Sequence, residues 1–228
     1  MTDKLDIDVW SDIACPWCYI GKRHLEGALA TFEHAGDVHI TWHSFELDPK
    51  APRAYTDGLT YAQRLARKYQ VTPEDGEKMI GRVVETGAKA GLELRYDRVQ
   101  GGNTFDAHRL LQWALATTDK QGALKEHLMR AYMTDGAAIG DRDTLSTIAG
   151  AAGLDVAAAR AMLDTDDYGE AVRADEALAH QLNITAVPFF VMAHRIAVPG
   201  AQPIDTLAAM LAKAWPLAGA TGDDASDG

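Results

Sequence analysis

Cys15-Pro16-Trp17-Cys18 is the segment of this chain with the clearest chemistry. Two thiols with two residues between them are spaced to alternate between dithiol and disulfide. They are the chain's only two cysteines, so they are not part of a larger disulfide framework. A structural zinc would need two further ligands, and neither a second Cys-x-x-Cys nor a His pair at metal spacing supplies them. His24 reads as solvated or packed rather than as a ligand.

What the thiols can do depends on the elements that hold them. Leu5, Ile7 and Val9 alternate with Asp6 and Asp8, the period of a strand. Pro16 suits the first position of a helix, where its missing N–H has no intrahelical partner. Cys18, Leu25, Ala28, Leu29 and Phe32 then form one apolar face. Cys15 therefore falls at a helix N-terminus, where unpaired N–H groups favour an anion. It is expected to be the exposed attacking thiolate. Cys18, one turn on and heading the apolar face, is expected to be the shielded thiol that releases a mixed disulfide.

Val38, Ile40 and Trp42 alternate with His39, Thr41 and His43, and Phe45-Glu46-Leu47 follows before Asp48-Pro49 breaks the strand. The opening reads as a βαβ unit. From about 59 to 182 no strand pattern occurs. Helices are expected over 59–70, over 73–91 with Thr72 as N-cap, after Asn103-Thr104, and near 120–133, 143–152, 155–163 and 166–182. Strands return at 188–192 and 195–198. Ile204, Leu207, Ala208, Leu211 and Trp215 mark a closing amphipathic helix. The small, acidic tail 219–228 is expected to be disordered. The pattern is an α/β sheet domain with an all-helical block inserted, since the two flanks must pair to make a stable sheet.

Other residues near the motif have local roles as well as chemical ones. Trp17 either covers the attacking sulfur or fills a core. Asp12 either closes the turn before Cys15 or, if buried, opposes thiolate formation there. Glu46 is either a solvated strand-end charge or a poorly solvated carboxylate able to move a proton for Cys18. Asn103 and Thr104 cap a helix, and Gly200-Ala201-Gln202 either makes a turn before the last one or leaves that helix's N-terminus to accept an anion such as a glutathione carboxylate.

The 33 acidic residues outnumber the 22 basic ones, giving a net charge of −11. Such a balance argues against nucleic acid or an anionic membrane as partner. No apolar run approaches the roughly 18 residues of a membrane span. Met1–Asp8 lacks an apolar signal region, so a cytoplasmic protein is expected.

The chain resembles the DsbA-like branch of the thioredoxin superfamily, most closely its FrnE-type members. Trp10-Ser11-Asp12, Cys15 to Arg23, Phe45-Glu46-Leu47 with Pro49, Asn103-Thr104 with Ala107-His108-Arg109-Leu110, Val187-Pro188 and Gly200-Ala201-Gln202-Pro203 carry the resemblance. It implies a thioredoxin-like α/β fold with a large all-helical domain inserted between its βαβ and ββα halves. Residues 1–58 and 183–218 would form the thioredoxin-like part, and 59–182 the insertion. It implies a cis bond between Val187 and Pro188, with the Val187 backbone offered to an extended substrate beside Cys15. Pro16, Trp17, Val187, Pro188 and Asn103 are then the substrate-binding residues, with Asn103 and Thr104 lining a cleft opposite Cys15. The implied activity is disulfide exchange with a protein dithiol or a small thiol. No cofactor is implied beyond the cysteine pair, with glutathione a potential co-substrate; the oligomeric state stays open, a homodimer among the options. The alternative is a glutathione-dependent isomerase or transferase of the kappa-class or 2-hydroxychromene-2-carboxylate isomerase type. Those proteins have serine at the first cysteine position, whereas this chain keeps both thiols. Phe189 departs from the small polar residue more usual after the proline, which bears on the shape of the pocket.

Overall fold

A computed structural model describes residues 4–218; the tail 219–228 lies outside the described residues. The first strand, β1, runs Leu5–Ser11 and leads through a short turn into helix α1, Pro16–Leu29. Strand β2, Val38–Ser44, returns parallel to β1, with Leu5 opposite Val38 and Ser11 opposite Ser44. This is the expected βαβ unit.

Seven α-helices follow before the next strand. They are α2 Tyr61–Tyr69, α3 Pro73–Lys89, α4 Phe105–Thr117, α5 Gln121–Arg130, α6 Arg142–Ala151, α7 Val156–Asp164 and α8 Gly169–Gln181. Strand β3, Phe189–Met192, pairs antiparallel with β1, and β4, Ile196–Pro199, pairs antiparallel with β3. Helix α9, Ile204–Ala214, closes the fold. The sheet order is β2-β1-β3-β4.

One sheet face carries Leu5, Ile7, Val9, Phe190 and Met192, which pack with Leu25 of α1 and Leu207 and Leu211 of α9. The other carries Trp10, which packs with Ala179 and Ile184 at the end of α8. The helices between β2 and β3 share a single core with the first turn of α1. Leu110, Leu124, Leu128, Leu145 and Leu163 pack in one cluster with Ile13, Cys15, Cys18 and Tyr19. The cysteine segment is therefore the seam between sheet and helical block.

Two boundaries differ from the sequence pattern. β2 stops at Ser44 because side-chain carboxylates take over its backbone donors. Ser44 N–H donates to Asp175 at 2.7 Å, Glu46 N–H to Glu176 at 3.2 Å, and Leu47 N–H to Asp12 at 2.8 Å. The helix expected over 120–133 ends at Arg130 and widens into a π-turn over Ala131–Asp135. Gly136 stops it at φ 77°, where a Cβ would meet the Arg98 carbonyl oxygen at 2.6 Å.

The helical block is tied by a fully buried arginine. Arg109 donates to Asp106 at 2.7 Å and to the carbonyls of Met162, Thr165 and Asp167. One guanidinium thus closes the end of α7 and the start of α8 onto α4.

Candidate active site

Antiparallel pairing of β1 with β3 sets Trp10 opposite Phe189. The chain leaves β1 toward Cys15 at the same sheet end where it enters β3 through Val187 and Pro188. The Val187–Pro188 bond is cis, as the resemblance implies. Cys15 Sγ donates to the Val187 carbonyl oxygen at 3.6 Å. Gly21, two turns into α1, makes room for the proline: a Cβ there would lie 2.9 Å from Pro188 Cγ.

Cys15 is the N-cap residue of α1, with Pro16 at its first position. Its carbonyl accepts from Cys18 N–H at 3.1 Å and Tyr19 N–H at 3.3 Å. Both cysteines are free thiols. Cys18 is fully buried, and burial pushes its thiol well above the usual range, helped by its hydrogen bond with Cys15. The expectation of an exposed Cys15 is corrected: the residue is only 4% exposed, because it packs within the core joining α1 to the helical block. The exposed member of the motif is Trp17, at 43%, which therefore fills no core.

Asp12 does more than close a turn. Its backbone carbonyl accepts from Cys15 N–H at 3.3 Å. Its buried carboxylate accepts from Leu47 N–H at 2.8 Å and lies 3.2 Å from His108 Nε2. Burial raises its pKa, but hydrogen bonding and charge from His108, with the Leu47 amide, outweigh it and hold Asp12 below the usual carboxylate range. An ionised carboxylate only accepts, so the N–H at His108 Nε2 donates to it. His108 Nδ1 is buried without a partner.

Glu46 is buried, which is the poorly solvated alternative, whereas Asn103 is placed differently from the expectation. Asn103 donates to Glu46 at 3.0 Å, and its carbonyl oxygen accepts from Phe105 N–H at 2.9 Å. That oxygen holds the first N–H of α4, and Asn103 is not among the residues lining the cleft. Glu46 also accepts from Arg173 at 2.7 Å. Burial raises its pKa, and Arg173 partly offsets that. The charged group whose field reaches Cys18 is instead Lys125 of α5. Lys125 is fully buried, donates to the Ser11 carbonyl at 3.4 Å, and sits 5.7 Å from the centre of the Trp42 ring. Its position inside a run of helical residues gave no signal in the sequence.

Beside the motif lies a cleft of about 540 Å³, lined among others by Asp12, Ala14, Tyr61, Arg64, Thr104 and Tyr132. Its walls come from the turn before α1 and from the helical block. His24 is packed, its Nδ1 2.8 Å from the Gln202 carbonyl. Gly200, at φ 77°, makes the expected turn before α9.

The comparisons agree with this arrangement. The DSBA-like thioredoxin domain family matches residues 6–212. A probable DsbA oxidoreductase from Streptomyces coelicolor shares 37% sequence identity with a TM-score of 0.86, over 93% of this chain and 90% of that one. YwbO of Bacillus subtilis, an uncharacterized protein, is 28% identical over 87% of this chain and 92% of its own length. The fold is also that of the cytosolic disulfide reductase DsbM from Pseudomonas aeruginosa. DsbM is 17% identical, with a TM-score of 0.63, over 93% of this chain and all of that one; it also has a structure with glutathione. An N-terminal thiol on α1, a second thiol one turn behind it and a match along nearly the whole sequence place this chain in the DsbA-like thiol oxidoreductase family.

Proposed function

We propose that this chain exchanges disulfides with a protein dithiol or a small thiol through Cys15 and Cys18. The observation that carries the reading is Cys15 at the N-cap of α1, 3.6 Å from the Val187 carbonyl, with Cys18 buried one turn on. In the reducing direction, the Cys15 thiolate attacks one sulfur of a substrate disulfide and expels the other as a thiolate. Cys18 then attacks Cys15, forming the Cys15–Cys18 disulfide and releasing the second substrate thiolate. The substrate gains two electrons and the enzyme loses two. Run backwards, the same steps oxidise a dithiol.

Val187 offers its backbone to an extended substrate segment, and Trp17 and Pro16 form the rim above it. Cys15 is buried, so a loop or a small disulfide suits the site better than a flat folded surface. The cleft beside Ala14 has room for a tripeptide-sized thiol. The glutathione-containing structure of DsbM supports glutathione as co-substrate. No cofactor beyond the two thiols enters the scheme. No helix among the described residues is long and apolar enough to cross a membrane, and a cytosolic relative supports action in the cytoplasm.

A redox titration of the cysteine pair in glutathione buffers tests the reading. A reductant is expected near the thioredoxin value of about −270 mV, and an oxidant near the DsbA value of about −120 mV. If no reversible Cys15–Cys18 disulfide forms at any ratio of glutathione to its disulfide, the proposal is wrong.

A further inference from the structure

The cleft beside the motif has a wall made by one face of α2. Tyr61, Arg64, Leu65 and Lys68 stand at i, i+3, i+4 and i+7 along that helix, and all four line the cleft. A capping box between Thr60 and Gln63 fixes where the helix starts. Ala14, the neighbour of Cys15, and Tyr132 border the same space. A group bound there is therefore beside the attacking thiol.

Two donors face this cleft without partners. Tyr132 is only 2% exposed, with its ring packed in the core that also holds Cys15 and Cys18. It lies in the π-turn Ala131–Asp135, an irregularity that often marks a functional site. Buried polar groups nearly always have a partner, yet no group among the described residues bonds the Tyr132 hydroxyl, which meets the cleft rather than being sealed in the core. Burial holds this phenol well above its ordinary range, so it stays an O–H donor. Arg64 is fixed from one side. Its Nη1 donates to Asp57 at 2.9 Å and to the Leu59 carbonyl at 2.6 Å, and its Cζ stands 4.8 Å from the centre of the Tyr55 ring. Nη2 and Nε bond nothing among the described residues, which leaves one edge of the guanidinium for a ligand. Three carboxylates also border the cleft. Asp12 faces His108 and Leu47 N–H, and Asp57 is paired with Arg64. Asp48 is exposed, as are Arg67 and Lys68, and neither of those cations pairs with a carboxylate among the described residues.

We propose that the cleft seats a carboxylate of the substrate, held by the Tyr132 hydroxyl and the open edge of Arg64, and so selects small acidic disulfides for attack by Cys15. The inference deepens the exchange reading above and rests on it. A neutral donor beside a fixed guanidinium suits the acceptor oxygens of a carboxylate, whereas an amide or an amine leaves at least one of the two donors poorly met. The substrate is small because Cys15 is only 4% exposed and the cleft holds about 540 Å³. The preference is local, since a chain of net charge −11 repels a free anion.

Dithiodipropionate and its diamide test this, because they share one disulfide and nearly one shape and differ in the carboxylates. The reduced protein is mixed with an excess of each at neutral pH, and the rate of thiol loss is followed. The wild type is expected to react about threefold or more faster with the diacid, against the sign set by its net charge. Tyr132→Phe removes only the hydroxyl, and Arg64→Gln removes the guanidinium. Each should lower the ratio of diacid rate to diamide rate about fivefold, as expected for losing a hydrogen bond to a charged group. A purely structural role would slow both reagents alike and leave the ratio where it was. A wild type that reacts with the diamide as fast as with the diacid overturns the proposal, and so does an unchanged ratio in Tyr132→Phe, whether or not Arg64→Gln folds. If the wild type forms no Cys15–Cys18 disulfide with either reagent, the exchange reading itself fails instead.

Discussion

The sulfur of Cys15 and the carbonyl oxygen of Val187 stand 3.6 Å apart although 172 residues separate them in the chain. Pairing of β1 with β3 sets that distance, and the seven helices of the connection lie to the side of the contact. On the proposed reading, a substrate strand aligned on Val187 would present its disulfide to a sulfur already in register with it.

Gly21 protects this contact from behind. Gly21→Val places side-chain atoms where Pro188 and Phe190 now pack, since a bare Cβ already lies 2.9 Å from Pro188 Cγ and 3.3 Å from the Phe190 ring. The variant should lose about 1–3 kcal/mol of stability. Denaturant unfolding measures the loss. The rate at which Cys15 attacks dithiobis(nitrobenzoate) should fall with it. A variant of wild-type stability and rate would show that β3 yields freely.

Arg109 is the tie of the helical block. Arg109→Met leaves Asp106 and the carbonyls of Met162, Thr165 and Asp167 without their shared donor. Asp106 keeps Arg53 and Arg142, so the main loss is the buried carbonyls left without a donor, about 1–3 kcal/mol. The unfolding midpoint in urea should drop accordingly, and a shift of under about 1 kcal/mol would contradict the tie.

His43 makes stability depend on pH. Its Nδ1 lies 2.7 Å from Asp175 and its Nε2 2.8 Å from Asp8, bridging α8 to the sheet. Burial lowers its pKa, but the two carboxylates win and raise it to about 9, against 6.5 for the free side chain. A raised pKa means the stabilisation is complete below about 6.5 and is lost as pH rises through 9, a loss on the order of 2–3 kcal/mol. His43→Phe keeps the stacking on Trp10 and removes the bridge. Thermal midpoints across this range should fall in the wild type and lose that dependence in the variant; equal profiles would contradict the bridge.

The elements of the fold were legible because their signals are local. Alternation at Leu5-Asp6-Ile7-Asp8-Val9, Pro16 after Cys15 and Thr72 before Pro73 each mark an element by its own chemistry, and the observed boundaries of β1, α1 and α3 follow them. The cysteine pair was legible for the same reason, whereas the cis bond at Val187–Pro188 was implied only by the family resemblance. Lys125, His108 and the burial of Cys15 were not. Each depends on which helix of the block packs against the first turn of α1, a long-range choice that leaves no periodic trace. Asn103 misled for the opposite reason. Its bond to the helix start was visible, but the cleft-lining role was not matched: the amide bonds Glu46 and Phe105 N–H, away from the cleft's lining.

The division of labour between the thiols is tested most directly by incubating reduced Cys18→Ser with glutathione disulfide and locating the adduct by peptide mass mapping. Attack at the N-cap thiol predicts one glutathionyl group, on the peptide carrying Cys15, stable because no second thiol can release it. Cys15→Ser should form none. No adduct on Cys18→Ser, or a faster adduct at Cys18 in the Cys15→Ser protein, would contradict the account.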